Sequence, residues 1–379
     1  MTPERLLRTL VDICGPHSAR PAGAGDVVAG CPARFVAAPP TAPAVAALLR
    51  LAAAEDLAVL PRGAGTKIDW GTPPARLDLL LDTGRLNGLW GHRPGASSAE
   101  IGAGTPVRAA QAALALHRQR LAVDPASARA TVGGVLAVNE SGPLRHRFGG
   151  PDGQVRAFHH VGTDGTASRT PGGPAARDDA GPPVGVLVSA VFDLQPVPEA
   201  RRWVVTPVST PLQVNNAIAA TLDADVSPSA VEMDLPAGPG GALATLIEGG
   251  AAEVGKRADR LAAALGSDTT STAVAPAWWG RYPFGVDDVA LRLTVAPAEL
   301  HSVVYALRDA AGAAVPVRGS VGVGTVHAVL PARPAPERVE QILDTVRVVL
   351  LGRGGRCVVV AAPPSIAARL DMAGRRDMF

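Results

Sequence analysis

Aromatic residues are scarce in this sequence: six Phe, five Trp and two Tyr amount to 3% of its 379 residues. Hydrophobic residues still make up 47%, so the cores must consist mostly of Ala, Val and Leu, and the length suggests two or three domains. Neither sign of charge dominates, and the net charge of +2 gives no electrostatic case for nucleic-acid binding. Lysine is nearly absent: the two are Lys67, beside a glycine loop, and Lys256.

Cysteine and long apolar runs are also rare. The three cysteines, Cys14, Cys31 and Cys357, form no CxxC pair and are expected to be reduced thiols. No apolar run reaches the roughly 18 residues that span a bilayer, and no segment has the form of a secretion signal. No His, Asp and Glu cluster has metal-ligand spacing, so no metal site is predicted. We predict a cytoplasmic protein, and peripheral association with a membrane complex stays open.

Helical and strand patterns alternate in the first half of the chain. Apolar residues at helical spacing predict a helix over 43–56 and another from Val107 to Leu114, which Pro106 opens. Short apolar runs predict strands at 57–60, 77–81, 99–103 and 184–194, with Pro61 ending the first. Residues 139–183 contain few apolar runs, and 171–183 is interpreted as an open loop.

A new pattern begins near residue 198. Strands are predicted at 204–208, 244–247, 289–295, 325–330 and 357–361, and helices at 254–265, 300–307 and 339–350. This interleaving predicts an α+β lobe over an antiparallel sheet. The predicted domains are therefore 1–198 and 199–379.

A glycine-rich loop follows the first predicted strand, with the sequence Pro61-Arg62-Gly63-Ala64-Gly65-Thr66-Lys67. Glycines let a backbone turn sharply and approach a ligand, and successive N–H groups in such a turn form an anion nest suited to a pyrophosphate. An ordinary strand-to-loop turn is the alternative. Lys67 either offsets phosphate charge or is a solvated surface residue.

A longer and more specific glycine motif runs from Val123 to Gly149 and reads VDPASARATVGGVLAVNESGPLRHRFG. Its small residues leave room for a flat ligand or another backbone, and Asn139 and Ser141 offer hydrogen bonds. A tightly packed turn and helix start is the alternative. No GxGxxG joins a strand to a helix, and the phosphate-loop spacing at Gly250 lacks the required Ser or Thr because Arg257 takes that place.

The two motifs together resemble the FAD-binding domain of the vanillyl-alcohol oxidase and p-cresol methylhydroxylase class, and within it the FAD-binding subunits of glycolate oxidase. The likeness extends to 69–71, 81–86 and 101–105, and more weakly to 318–327. It implies an α+β protein: a two-subdomain FAD-binding fold of the vanillyl-alcohol oxidase type with a C-terminal α+β lobe over an antiparallel sheet.

The resemblance also implies a set of FAD-binding positions. The first loop cradles the pyrophosphate through backbone N–H groups, the second motif runs along the flavin and its phosphates, and a later turn borders the adenine half. The implied residues are Arg62, Gly63, Ala64, Gly65, Thr66, Pro125, Thr131, Val132, Gly133, Gly134, Asn139, Ser141, Gly142, Gly185 and Val186. The first loop has no His or Cys, so FAD is expected to bind non-covalently.

One segment departs from the family pattern. Relatives carry a longer stretch between positions 172 and 185, where this chain has a shortened, charged loop. Two functions therefore stay open. The first is an FAD-dependent oxidoreductase subunit, glycolate oxidase-like, that oxidises a small 2-hydroxy acid by hydride transfer to flavin within a hetero-oligomer of oxidase subunits. The second is a degenerate relative with weak or no FAD binding that serves as a structural or assembly subunit.

Candidate catalytic groups are few. Oxidation of a 2-hydroxy acid requires a base near the hydroxyl and a cation for the carboxylate. His146 and His327 are candidate bases, His159 and His160 are paired in the loop-rich region, and Arg145 and Arg147 are candidate carboxylate anchors. Each is as consistent with a solvated or packed residue.

The aromatic concentration at 278–284 lies in the C-terminal lobe. The segment either stacks near a flavin, forms a subunit interface or simply fills a core. We expect the lobe to carry a protein–protein interface rather than a complete substrate site, because it offers no convergent set of acid, base and anion-binding groups. An exposed patch with Trp278 and Trp279 would then be covered by a partner or by the FAD domain.

Overall fold

Short strands and helices open the chain in the computed structural model, which describes residues 1–172, 185–330 and 335–374. The helices of the first half are α1 (Pro3–Cys14), α2 (Ala42–Ala54), α3 (Val107–Ala115), α4 (Val132–Val138) and α5 (Arg145–Phe148). The strands are β1 (Ala19–Pro21), β2 (Val27–Val28), β3 (Cys31–Pro32), β4 (Phe35–Ala37), β5 (Val59–Arg62), β6 (Leu79–Asp82), β7 (Leu89–Gly91), β8 (Ser98–Gly102), β9 (Gln119–Arg120), β10 (Val155–Val161), β11 (Ala167–Pro171), β12 (Val186–Asp193) and β13 (Gln195–Pro196).

The second half alternates longer elements. Its strands are β14 (Ala200–Pro207), β15 (Ala230–Leu235), β16 (Ala242–Gly249), β17 (Thr270–Thr272), β18 (Val289–Thr294), β19 (Val317–Ser320), β20 (Thr325–Leu330) and β21 (Arg356–Ala361). Its helices are α6 (Pro211–Asp223), α7 (Ala251–Leu265), α8 (Leu300–Ala311), α9 (Pro336–Leu351) and α10 (Pro364–Ala367). Among the described residues, no helix combines the length and apolarity needed to cross a membrane.

Threonine caps start four of these helices. Thr2, Thr41 and Thr131 each accept a hydrogen bond from a backbone N–H of the first turn of α1, α2 and α4. Thr210 does the same for α6 and forms a reciprocal capping box with Gln213. Such caps satisfy N–H groups that have no partner inside the helix. Neither α1 nor α6 is among the helices that the sequence predicted.

The chain divides into two compact units. The N-terminal unit comprises Met1–Asp69, Pro73–Ser141 and Gly149–Val197, and the C-terminal unit comprises Trp70–Thr72, Gly142–Phe148 and Pro198–Phe379. Two short segments of the first half, 70–72 and 142–148, thus belong to the C-terminal unit. Helix α5 lies in the second of them.

Two main sheets organise the N-terminal unit. One has the order β1-β4-β6-β5, with β4, β6 and β5 parallel, and the other is antiparallel in the order β11-β10-β12-β8-β7. The prediction that Pro61 ends the first strand is wrong, since β5 continues through it to Arg62. Strand β5 lies at the sheet edge, where the missing proline N–H costs no ladder hydrogen bond. Strands β10 and β11 lie in the region with few apolar runs, whereas the shortened loop lies largely outside the described residues, at 173–184.

One antiparallel sheet of eight strands forms the C-terminal unit, in the order β17-β14-β16-β15-β19-β20-β18-β21. Helices α6, α8 and α9 cover one face and bury an apolar core that includes Val231, Leu291, Val326 and Ile342. Because strand side chains alternate between faces, the neighbouring residues Glu232, Arg292 and His327 point to the opposite face.

Candidate functional site

The first glycine loop leaves the edge strand β5 with several unused backbone donors. Gly65 has φ +70°, in the left-handed region where L side chains are strained. Within the described residues, the N–H groups of Ala64, Gly65 and Thr66 donate no intramolecular hydrogen bond. The loop is anchored from behind, where the Thr83 hydroxyl donates to the Arg62 carbonyl at 3.2 Å. The arrangement is suited to binding an anion through the main chain.

The Arg62 side chain is already engaged by carboxylates. Its guanidinium donates to Asp26 and to Asp82, each at 3.1 Å. Asp26 is buried and also accepts from Arg20 at 2.6 Å and from the Gly23 N–H at 2.8 Å. The hydrogen bond from Arg20, with those from Gly23 and Arg62, lowers the pKa of Asp26 against the opposing effect of burial. The Arg62 side chain therefore stabilises the loop, and the backbone N–H groups of the loop remain available to bind a ligand.

The two glycine motifs meet at Gly63 and Thr131. A Cβ atom on Gly63 would lie 2.1 Å from the Thr131 Oγ1, a distance that no side chain can adopt. The same hydroxyl caps α4 by accepting from the Gly134 N–H at 3.4 Å. The sequence predicted both motifs, and the tertiary structure brings them into contact.

The start of α4 is occupied by backbone hydrogen bonds within the unit. The Val132 N–H donates to the Thr105 carbonyl at 2.9 Å, and the Gly133 N–H donates to the Ala103 carbonyl at 2.7 Å. A Cβ on Gly133 would meet the Ala103 Cβ at 2.9 Å. These two N–H groups fix α4 against the end of β8 and are therefore not available to a ligand.

Lys67 and Glu140 form a buried ion pair between the two motifs. Their side chains are 5% and 2% exposed, and Glu140 also accepts from the Ser127 N–H at 3.2 Å. The alternative that Lys67 is a solvated surface residue is wrong. Its charge is used inside the protein to join the loop after β5 to the segment after α4. Composition offered one signal, since Lys67 is one of two lysines in the chain.

The remaining predicted cofactor residues occupy different places. Asn139 ends α4 in the left-handed conformation, and its Oδ1 accepts from the Asp152 N–H at 3.4 Å. The Ser141 hydroxyl is buried and has no hydrogen-bond partner within the described residues. Pro125 is half-buried in the segment after β9. Gly142 belongs to the C-terminal unit, while Gly185 and Val186 lie at the start of β12, against Val161 of β10.

A second polar cluster lies in the antiparallel sheet of the N-terminal unit. The Ser189 hydroxyl donates to Glu100 at 2.6 Å and lies 3.2 Å from the His159 Nδ1, which is 3.0 Å from the same carboxylate. Burial and the neighbouring His159 lower the pKa of His160. These contacts satisfy the buried Ser189 hydroxyl, whereas the His159 Nε2 and the His160 Nδ1 are buried without a hydrogen-bond partner among the described residues.

Four charged or ionisable residues form one row across the sheet of the C-terminal unit. Directly paired positions on β15, β19, β20 and β18 are Asp234, Arg318, His327 and Arg292. Arg318 donates to Asp234 at 2.8 Å and to the Tyr282 carbonyl at 3.3 Å. The Tyr282 ring lies 4.9 Å from the His327 ring. The structure thus places these four residues side by side in the C-terminal lobe.

The residues of α5 are divided between half-buried and exposed positions. His146 packs against Gly322, where a Cβ would lie 2.3 Å from the imidazole Nδ1, and burial lowers the pKa of His146 against a hydrogen bond with Gly322. Arg145 lies close enough to Arg292 to lower the pKa of Arg292, whereas the Arg147 side chain is exposed. The structure therefore groups His146, Arg145 and His327 in one unit and leaves Arg147 at the surface.

The aromatic segment packs on its own unit. Trp278 and Trp279 are half-buried. The ring centroids of Trp279 and Trp203 are 6.1 Å apart, and both rings pack against the cluster that contains Leu144 and Leu246. Further along, Tyr282 and Phe284 contact Trp70. The expected exposed tryptophan patch is therefore not observed.

Sequence reasoning missed Arg292, Arg318 and Asp234. Asp234 alternates with apolar residues in β15, and Arg292 lies between two leucines in β18, so alternation is a usable signal for these two. Arg318 lies in the short strand β19, where the sequence carries no such pattern. Among the described residues, no group of three or more His, Cys, Asp and Glu side chains is arranged to hold a metal ion.

Residues 33–170 match the family described as FAD binding domain. Two structures of alkyldihydroxyacetonephosphate synthase superpose with TM-scores of 0.70 and 0.72 at 16% identity, covering 94% of this chain and 80% and 82% of theirs. Physcomitrella patens BBE-like 1 superposes with a TM-score of 0.69 at 14% identity, covering 93% of this chain and 89% of that one. No curated protein sequence matches the chain.

These likenesses confirm the predicted fold class, an α+β protein with the two-subdomain FAD-binding fold of the vanillyl-alcohol oxidase type and a lobe over an antiparallel sheet. The residues that match this family, 33–170, include both glycine motifs.

Proposed function

We propose that this chain is an FAD-dependent oxidoreductase subunit, similar to that of glycolate oxidase, which oxidises a small 2-hydroxy acid. The observation that carries the proposal is the meeting of the two glycine motifs at Gly63 and Thr131, beside a loop with unused backbone donors. Three successive N–H groups without a partner inside the protein form a nest that suits an anion such as a pyrophosphate.

The residues of the N-terminal unit fit the cofactor. The N–H groups of Ala64, Gly65 and Thr66 suit the pyrophosphate, and the buried Ser141 hydroxyl is a polar group that a ligand would satisfy. Neither 62–67 nor 123–141 contains His or Cys, so we propose non-covalent binding. When bound, FAD supplies the hydride acceptor.

The substrate hydroxyl needs a group that accepts its proton. Burial lowers the pKa of His146, which keeps its imidazole neutral at physiological pH and able to accept a proton. His327 is the second candidate base, held by the Tyr282 ring. We propose that one of these two residues is the base and that other oxidase subunits complete the enzyme in the cytoplasm.

The visible absorption spectrum of the purified full chain tests this function. We expect a flavin spectrum, either as isolated or after addition of FAD, and anaerobic bleaching of the flavin band by glycolate or D-lactate in the assembled complex. A chain that stays colourless after FAD addition would instead support a structural or assembly subunit. A flavin band that no 2-hydroxy acid bleaches would retain the cofactor and reject the substrate class.

A further inference from the structure

Arg292 differs from the other charged residues of its row. Arg318 is neutralised by Asp234, and Glu232 on the same face accepts from the Ser320 hydroxyl. Arg292 is half-buried in β18, between His327 on β20 and Val358 on β21. Its backbone is paired in the sheet, but its guanidinium forms no hydrogen bond or ion pair with any residue in the part of the chain that the structure describes.

The charges near Arg292 do not neutralise it. Burial lowers the pKa of Arg292, the nearby Arg145 and Arg356 lower it further, and the electrostatic effect of Tyr282 opposes them. A guanidinium stays protonated throughout the physiological range even so. A half-buried cation without a counter-charge is costly, because it loses hydration and gains no pairing in return. The position is therefore poised to gain free energy from an incoming anion.

We propose that Arg292 binds the carboxylate group of a small organic acid on this face of the sheet, with Tyr282 and His327 beside it. The planar guanidinium matches a carboxylate through two parallel N–H···O hydrogen bonds. The single guanidinium fork of Arg292 matches the two oxygens of one carboxylate, with the Tyr282 and His327 rings beside it. Assigning this carboxylate to the substrate of the oxidation rests on the proposed function, whereas anion binding at Arg292 does not.

Calorimetric titration of the full chain with glycolate, D-lactate and inorganic phosphate, each with and without FAD, tests the site. We expect the two carboxylates to bind, phosphate to bind more weakly, and Arg292→Met to weaken carboxylate binding about tenfold to hundredfold, as loss of a charge-assisted hydrogen bond implies. Arg292→Lys retains the charge but not the fork, so an intermediate affinity is expected. Arg260→Met removes one exposed charge from α7 and is the matched control, with unchanged affinity.

Four results would overturn the inference. They are unchanged carboxylate binding by Arg292→Met, an equal loss in Arg260→Met, a preference for phosphate over both carboxylates, and no binding by the wild-type chain. If Arg292→Met does not fold, a carboxylate affinity of Arg292→Lys equal to that of the wild type would also overturn the inference. FAD content is read from the same samples. Carboxylate binding by a chain that holds no flavin would contradict the proposed oxidoreductase but support the site at Arg292. A chain that holds flavin but binds no carboxylate would support the oxidoreductase and contradict the site.

Discussion

Single residues set how closely the two glycine motifs approach each other. Gly63 admits no side chain because the Thr131 hydroxyl occupies the space of a Cβ, and Asp26 holds the base of the same loop through Arg20 and Arg62. Gly63 is constrained by the space that a side chain would need, and Asp26 is constrained by its charge. The two residues can therefore be tested separately.

Replacement of Gly63 by Ala should weaken FAD binding. The added methyl must displace Thr131 or the loop, and overpacking of this kind costs enough to lower affinity about tenfold to hundredfold. Flavin fluorescence quenching during FAD titration measures the effect. Gly25→Ala is the matched control, because a Cβ at Gly25 meets nothing within 4 Å. Equal affinities for the two variants would contradict the placement of the cofactor against this loop.

Asp26→Asn should change how stability depends on pH. A carboxyl with a folded-state pKa below its unfolded value of about 3.9 stabilises the protein above that value and loses the contribution as pH falls. We expect Asp26→Asn to lower the free energy of unfolding by about 1–3 kcal/mol at pH 7. The variant should also lose less stability than the wild type as pH falls from about 5 to about 3. Urea unfolding across this range measures both, with the exposed Asp12→Asn as the control. An acid limb unchanged from wild type would show that Asp26 does not carry this contribution.

At the scale of elements, the N-terminal unit fixes its loops by joining segments distant in sequence. Thr131 starts α4 and touches the loop after β5, while Lys67 in that loop pairs with Glu140 beyond the end of α4. The loop after β5 is thus attached at both ends of one short helix. The ion pair is the attachment with the larger energetic consequence, because both charges are buried.

Lys67→Met should destabilise the chain strongly. Breaking a buried ion pair leaves one charge uncompensated and costs about 3–5 kcal/mol, whereas replacing both partners by apolar residues is often neutral or stabilising. The double variant Lys67→Met with Glu140→Met should therefore be more stable than Lys67→Met alone, as measured by urea unfolding. Lys256, paired with Glu253 on the surface of α7, provides the matched control. We expect Lys256→Met to change stability by less than about 1 kcal/mol. A double variant no more stable than Lys67→Met would remove the ion pair as the cause.

For the whole molecule, the two units have separate apolar cores. The core beneath α1 and α2 contains Leu81, and the core beneath α8 and α9 contains Leu291. Both leucines are fully buried, so each can be shortened to test its own unit. The FAD loops lie in the unit that contains Leu81.

Leu81→Ala and Leu291→Ala should each lower the stability of a different unit. Each deletion leaves a cavity that costs about 2–5 kcal/mol. We expect Leu81→Ala to reduce FAD retention and Leu291→Ala to leave FAD content unchanged at temperatures where both units are folded. Calorimetric unfolding with flavin release followed in parallel measures this. If both variants release flavin together, the units unfold as one cooperative block.

The sequence by itself determined the elements and the motifs. The apolar periodicity of α2, α7, α8 and α9 and of strands such as β8 and β20 is local, so their positions could be read within a few residues. The order and length of the two glycine motifs were also sufficient to indicate an FAD-binding fold. These signals depend on residues adjacent in the chain.

The tertiary structure alone decided which of these residues meet. Nothing local pairs Lys67 with Glu140, or aligns Asp234, Arg318, His327 and Arg292, whose positions span 93 residues before strand register brings them into one row. The aromatic segment was read as a partner surface because its composition suits an interface, yet its rings find cover on their own sheet. Register and packing follow from the burial of whole faces, which is a property of the assembled sheet rather than of any one strand.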